Sequence, residues 1–292
     1  MKFSLWFRID PSGSFGVPEE GRTVLPPGEA ISPTILTSSM VQVSHGTLSQ
    51  YRAPEEALDV ALSFGTTVAR FQDNFLVVTI EGEYYDAART EAQVTADRLV
   101  KHIALDQGRS FSAELIAAED DEGNRLSILK SATFLSVTVY DLDGMRTAIR
   151  HAGRALPIDD ERLERALDYY DHALFLIGRG VAHHGGVISR HYDFTVAAIF
   201  LNLWKSVTVI IGDPTERDYQ SRYRTIGLDY QFFKTKIDRL KNLRDTYDVA
   251  HHHLDPDRIE EVKAQFGEAA QIAQEVISRY RNKLLTDTGR NP

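Results

Sequence analysis

The chain of 292 residues contains no cysteine. That excludes disulfides, thiol nucleophiles and thiolate-held zinc or iron–sulfur centres together, and it fits the cytoplasmic location expected here. Long apolar runs are scarce as well. The longest, Phe194 to Ile211, carries Asn202 and Lys205 in its middle, and a mid-span lysine is costly in lipid. The run therefore reads as a buried helix, and no membrane association is expected. The opening MKFSLWFRID is too short and too interrupted in its apolar stretch for a signal peptide. Positive charge is in deficit: 33 Lys and Arg stand against 42 Asp and Glu, a net charge of −9. Non-specific nucleic-acid binding draws mostly on phosphate neutralisation, so the surface as a whole argues against it, and no DNA partner is expected. Also missing are a phosphate-cradling glycine loop, a dinucleotide fingerprint, a nucleophile elbow and a His-Glu-x-x-His zinc motif. No cofactor is expected.

What remains is the composition of a soluble globular protein, 42% hydrophobic and 26% charged, with length enough for two domains. The first, residues 1–157, reads as α+β. From Lys2 to Ile9, Phe3, Leu5 and Phe7 alternate with Ser4, Trp6 and Arg8, the period of a half-buried strand. Pro11 to Pro33 reads as a long Pro/Gly-rich surface loop. Thr67 to Phe71 and Phe75 to Glu81 flank the turn residues Gln72-Asp73-Asn74, which predicts a hairpin. Asp86 to Asp106 is helical in pattern. Strands follow near Ser110 to Ala117 and Leu126 to Tyr140, split by the charged turn Glu119 to Gly123. Nothing in this domain carries a recognisable chemistry.

The second domain, residues 158–292, changes character. Ile158-Asp159-Asp160 supplies a helix N-cap, and Leu163, Leu167, Tyr170, Leu174 and Ile177 then recur at helical spacing. A glycine-containing loop with Gly178, Gly180, Gly185 and Gly186 follows. The next helix, about Tyr192 to Ile211, is apolar nearly all round and stops at Gly212-Asp213-Pro214. A third starts near Asp229. Asp255 as N-cap with Pro256 at the first helical position announces a fourth, carrying Ile259, Val262, Phe266, Ala269, Ala273, Val276 and Tyr280. Four amphipathic helices joined by short turns predict an antiparallel four-helix bundle.

On the third helix the apolar positions Phe233, Ile237 and Leu240 continue as Arg244, Tyr247 and His251. Seven residues separate Arg244 from His251, which places both within about 20° of one helix face. Charge-bearing groups on an apolar stripe need an explanation, because burying them unpaired is costly. The stretch Leu243-Arg244-Asp245-Thr246-Tyr247-Asp248-Val249-Ala250-His251 resembles the signature of the HEPN family: an arginine, a polar neighbour, then a histidine four to six residues further on. Six intervening residues is the long end of that range. The resemblance takes in the preceding helix, with Leu203-Trp204-Lys205-Ser206, and the following one, and it leaves the first 150 or so residues untouched.

The resemblance implies an all-α HEPN-like bundle, a homodimer in which two signature pairs meet at the interface, and metal-independent endoribonuclease activity. It assigns Arg244 as phosphate clamp, His251 as acid or base and Asp245 as the residue orienting one of them. The residue types suit that chemistry: a histidine titrating near neutrality can move the proton of a ribose 2′-hydroxyl, and a guanidinium can hold the phosphate during attack. The product would be a 2′,3′-cyclic phosphate. RNA would engage the segment from Pro214 to Arg244, where eight basic residues outnumber four acidic ones and Tyr219, Tyr223, Tyr230, Phe232 and Phe233 are interleaved. Such domains often serve in defence or as toxins. Other members of the family do not cleave and act as dimerisation or partner modules, which leaves a regulatory protein partner as the alternative. The structural alternative for Arg244 is a pair with Asp248, four residues further along the helix. His251-His252-His253 and His183-His184 lack the fixed-spacing partners of a metal site, and no metal is expected.

Overall fold

A computed structural model of the chain describes residues 1–11, 39–44, 47–52, 58–72, 75–128, 142–178, 191–212, 219–247 and 259–289. The chain divides into two compact units. Met1–Ile103 and Phe111–Pro157 form the first; Ala104–Ser110 and Ile158–Pro292 form the second. No described helix is long and apolar enough to cross a membrane.

The first unit is built on an antiparallel sheet. Its strands are β1 (Lys2–Pro11), β4 (Asp59–Phe64), β5 (Thr67–Gln72), β6 (Phe75–Glu81), β7 (Phe111–Asp120) and β8 (Arg125–Ile128), in the order β4-β5-β6-β1-β7-β8. A separate two-stranded ladder pairs β2 (Ser39–Ser44) with β3 (Thr47–Arg52). The alternation read in β1 has its consequence here: Phe3, Leu5, Phe7 and Ile9 are all buried, in a strand paired on both sides. The expected hairpin is β5–β6, although Asp73 and Asn74 lie outside the described residues. Helix α1 (Tyr85–Gln107) buries Ala88, Ala92, Ala96, Leu99, Val100 and Ile103 along one face. Gln93 of that helix donates to the Ala113 carbonyl of β7 at 3.3 Å. Helix α2 (Leu142–Ala155) packs on β4. A Cβ on Gly153 would come within 2.7 Å of a Leu62 methyl, so this helix-interior glycine permits the close approach.

The second unit is mostly helical: α3 (Glu161–Gly178), α4 (His191–Ile211), α5 (Tyr219–Thr225), α6 (Tyr230–Thr246) and α7 (Ile259–Asp287). Asp160 is the N-cap of α3, its carboxylate accepting the Leu163 amide at 2.8 Å. The same carboxylate accepts the Tyr280 hydroxyl at 3.1 Å. Burial and the neighbouring Asp160 charge push the Tyr280 phenol up to about 12, so it remains a donor at neutral pH. Helix α4 packs against α3, α5, α6 and α7, and α7 also packs on α3 and α6. Gly212, at a φ of 83°, ends α4 with its amide on the Thr208 carbonyl. Asp255 and Pro256, expected to start the last helix, lie outside the described residues, as do 12–38 and 129–141.

Four pieces of structure had no counterpart in the sequence reading: the β2–β3 ladder, β4, α2 and α5. The buried face of α2 is Met145, Ala148, Ile149, Ala152 and Ala155, set against Arg146, Arg150 and Arg154, an amphipathic pattern that was legible from spacing and was missed. Helix α5, seven residues long, is too short for a period to register.

The end of α1 contributes Asp106 to the helical unit. Its carboxylate pairs with Arg281 at 2.7 Å, with side-chain exposures of 15% and 4%. Gln274 donates to the Leu105 carbonyl at 2.5 Å, capping an orphan acceptor of the last turn of α1. Burial first, and then the Asp106 charge, raises the pKa of the Tyr170 phenol above its ordinary range. An ion pair this buried contributes little net stability, but removing one partner leaves the other charged and desolvated. Asp106→Ala should therefore lower the unfolding free energy by about 3–5 kcal/mol, read from urea midpoints. The double variant Asp106→Leu/Arg281→Met should cost much less. Equal losses in the single and double variants would show that desolvation of Arg281 is not the cause.

Candidate functional site

Helix α6 buries Phe233, Ile237, Leu240, Leu243 and Tyr247. At about 100° per residue Arg244 falls between Phe233 and Ile237 around the axis, in the last turn of the helix. Its side chain keeps 32% of its exposure, so the aliphatic stem lies along the apolar seam while the head reaches the surface. The guanidinium carbon sits 5.2 Å from the ring centroid of Trp204 on α4, within cation–π range. Trp204 itself is 5% exposed.

Asp245 meets the edge of the same guanidinium. Its Oδ1 accepts Arg244 Nε at 2.9 Å and also Nη2. Its Oδ2 accepts Lys241 Nζ at 3.2 Å, one turn back. Burial works to raise the Asp245 carboxyl, but the hydrogen bonds and charges of Arg244 and Lys241 outweigh it and hold the group below its ordinary value. Asp245 is thus anionic at neutral pH and bridges two cations. Arg244 takes its adjacent residue as partner; Asp248, the alternative, lies outside the described residues. Among the described residues, Arg244 Nη1 has no hydrogen-bond partner.

Next to this charged corner stands an aromatic stack. The Tyr247 ring lies on Phe200 at 4.8 Å and 11°, Phe200 meets Phe266 at 5.3 Å, and the Tyr247 hydroxyl donates to Gln265 Oε1 at 2.6 Å. The stack joins α4, the residue that follows α6, and α7. His251 lies outside the described residues, as do His252, His253, His183 and His184. Of the three expected site residues, the structure brings together Arg244 and Asp245. Among the described residues no group of three His, Asp or Glu side chains is placed to hold a metal ion.

The basic segment is largely compensated. Lys236 pairs with Glu275 at 2.7 Å and Arg239 with Glu268 at 3.2 Å, both across to α7, and Lys241 and Arg244 share Asp245. Arg224 and Lys234 are exposed, and Arg217 lies outside the described residues. Of the interleaved aromatics, Tyr223 and Phe233 are buried, and Tyr230 meets Tyr223 edge-on at 5.9 Å. Buried rings serve packing rather than base stacking. Two participants escaped the sequence reading: Lys241, legible from its spacing of four to Asp245, and Trp204, whose meeting with Arg244 no local pattern announces.

Compared with protein-family models, curated proteins and solved structures, the chain matches none.

The stack and the charged corner should separate in their effect on stability. Tyr247→Ala removes a buried ring and should cost about 3–5 kcal/mol, as phenylalanine truncations in cores do. Arg244→Ala breaks a partly exposed pair and should cost about 1 kcal/mol or less. Chemical denaturation of both variants checks this; an Arg244→Ala loss as large as that of Tyr247→Ala would make Arg244 a structural residue.

Proposed function

We propose that the chain is a metal-independent endoribonuclease of the HEPN type, with α3, α4, α6 and α7 as its antiparallel four-helix bundle. The observation that carries this reading is the state of Arg244. It is one-third exposed, its plane is held by Trp204 and Asp245, and one terminal nitrogen is uncommitted among the described residues. A guanidinium so held is suited to receive a phosphate with little reorganisation. In the proposed reaction His251 takes the proton of a ribose 2′-hydroxyl or delivers one to the departing 5′-oxygen. The 2′-oxygen attacks phosphorus, the 5′-oxygen leaves protonated, and the 2′,3′-cyclic phosphate remains. Arg244 stabilises the charge that builds on the phosphoryl oxygens, and Asp245 orients Arg244.

The test is RNA cleavage by the full chain in EDTA. Activity should persist, because the proposed pair supplies both proton transfer and charge stabilisation. His251→Ala should slow cleavage by about 10²-fold or more, the usual contribution of a positioned acid or base, and Arg244→Ala should be comparably severe because nothing else reproduces a bidentate contact. A 2′-deoxy nucleotide at the cut position should block the reaction. Loss of activity in EDTA, or survival of both substitutions, sinks the proposal.

A second reading has its own support. Four cations of α6 are already matched to carboxylates, and the whole chain is acidic, which suits a non-catalytic HEPN-type module that dimerises and binds a protein partner. Both readings include a homodimer, with the signature pairs at the two-fold interface in the catalytic one. Sedimentation at micromolar concentration should give a dimer; a monomer alone would remove the shared interface from both.

A further inference from the structure

We propose that Trp204 is a positioning residue for a phosphodiester-binding Arg244: the indole sets the guanidinium plane and so decides which edge meets the nucleic-acid backbone. The inference rests on the reading of Arg244 as phosphate clamp and deepens it.

An arginine side chain has many rotamers, and most of them would point its head into solvent. Two contacts select one. Trp204, 5% exposed and anchored in α4, has its ring centroid 5.2 Å from the guanidinium carbon, so the head is held against a fixed aromatic ring. Asp245 takes Nε and Nη2 along one edge, which fixes rotation within that plane. The Nη1–Nη2 edge is left to present two donors to two phosphoryl oxygens. Asp245 alone cannot do this, because it is the sequence neighbour of Arg244, is itself exposed and is shared with Lys241. The ring on another helix is the fixed reference.

The chain carries two tryptophans, Trp6 and Trp204, so a Trp6→Phe protein reports on Trp204 alone. A positive charge stacked near an indole perturbs its emission, and an anion on that charge changes the perturbation. An all-2′-deoxy oligonucleotide, which cannot be cleaved by 2′-hydroxyl attack, and inorganic phosphate are titrated separately, with anisotropy of a labelled oligonucleotide as an independent binding readout. The oligonucleotide should change Trp204 emission saturably, and phosphate should do so at higher concentration. The change should vanish in Trp6→Phe/Arg244→Gln. In the wild-type background Trp204→Leu should weaken oligonucleotide binding about tenfold, the scale of a partly desolvated cation–π contact, and Trp204→Phe should restore most of it.

Oligonucleotide binding by anisotropy without any change in Trp204 emission overturns the proposal, as does a folded Trp204→Leu variant that binds as tightly as wild type. Should Trp204→Leu fail to fold, the emission titration decides alone. Phosphate binding without oligonucleotide binding overturns the phosphodiester assignment, and no binding at all overturns both this inference and the reading beneath it. Trp204-dependent binding with no RNA cleavage would sink the nuclease reading while leaving the positioning role in place. Cleavage unaffected by Trp204→Leu would do the reverse.

Discussion

Helix α4 must be covered across a wide face, and the helical unit is arranged to meet that demand. Val196, Ile199, Phe200, Leu203, Trp204, Val207, Ile210 and Ile211 are all buried, spread over an arc of about 140° at about 100° per residue. A single partner cannot cover such a surface; α3, α5, α6 and α7 all pack against it. Each large apolar side chain buried is worth about 1.5–3 kcal/mol, whereas each α6–α7 ion pair is worth about 0–1. Apolar burial around α4 therefore sets the arrangement, and the surface pairs follow it. The polar residues of α4 turn back on the helix: Asn202 donates to the Ala198 carbonyl at 2.7 Å and Ser206 to that of Leu203 at 2.8 Å. Lys205, the residue that argued against a membrane span, places its ammonium 5.3 Å from the Tyr169 ring centroid.

The same demand generates the candidate site. To cover Phe200, α6 brings Tyr247 onto its ring and α7 brings Phe266. Once Tyr247 is seated there, Arg244, nearly one turn earlier on α6, falls beside Trp204, one turn further along α4 than Phe200. The charged corner is in this sense a by-product of aromatic packing. Its geometry depends on the stack more than the stack depends on it, which is why the two should differ so much in their energetic weight.

Much of this was legible where one face of an element does one job. The period of two in β1 told which residues would be buried, because that strand lies between two partners and its core face is unambiguous. Asp160 was legible as a cap because an N-cap is a local event, settled within one turn. The site was legible in part. Arg244 and Asp245 stood out on an apolar stripe, but the stripe placed Arg244 in the seam, and the structure leaves it partly exposed. A heptad separation fixes the face but not how far along the helix other elements cover it, and Arg244 stands in the last turn of α6. Contacts across long separations left no local trace. Trp204 and Arg244, or Asp106 and Arg281, meet through tertiary packing.

Whether a phosphate can use Arg244 turns on what Asp245 loses. Two partly exposed charges in a high-dielectric setting hold one another weakly, by about 1 kcal/mol or less, so the Arg244–Asp245 pair is no deep trap. Lys241 keeps the Asp245 carboxylate ion-paired through its second oxygen, so a phosphate on the other edge of Arg244 meets a partly neutralised neighbour. The opposite arrangement, a buried carboxylate paired to Arg244 alone, would set the desolvation of an orphaned anion against every incoming phosphate. The Asp106–Arg281 pair, buried on both sides, is of that second kind and suits a structural role. One chain thus carries both versions of the same ion pair, and exposure separates them. At the rim of α6 a carboxylate can orient an arginine and still yield an edge to a ligand; under α7 it can only hold its arginine in place.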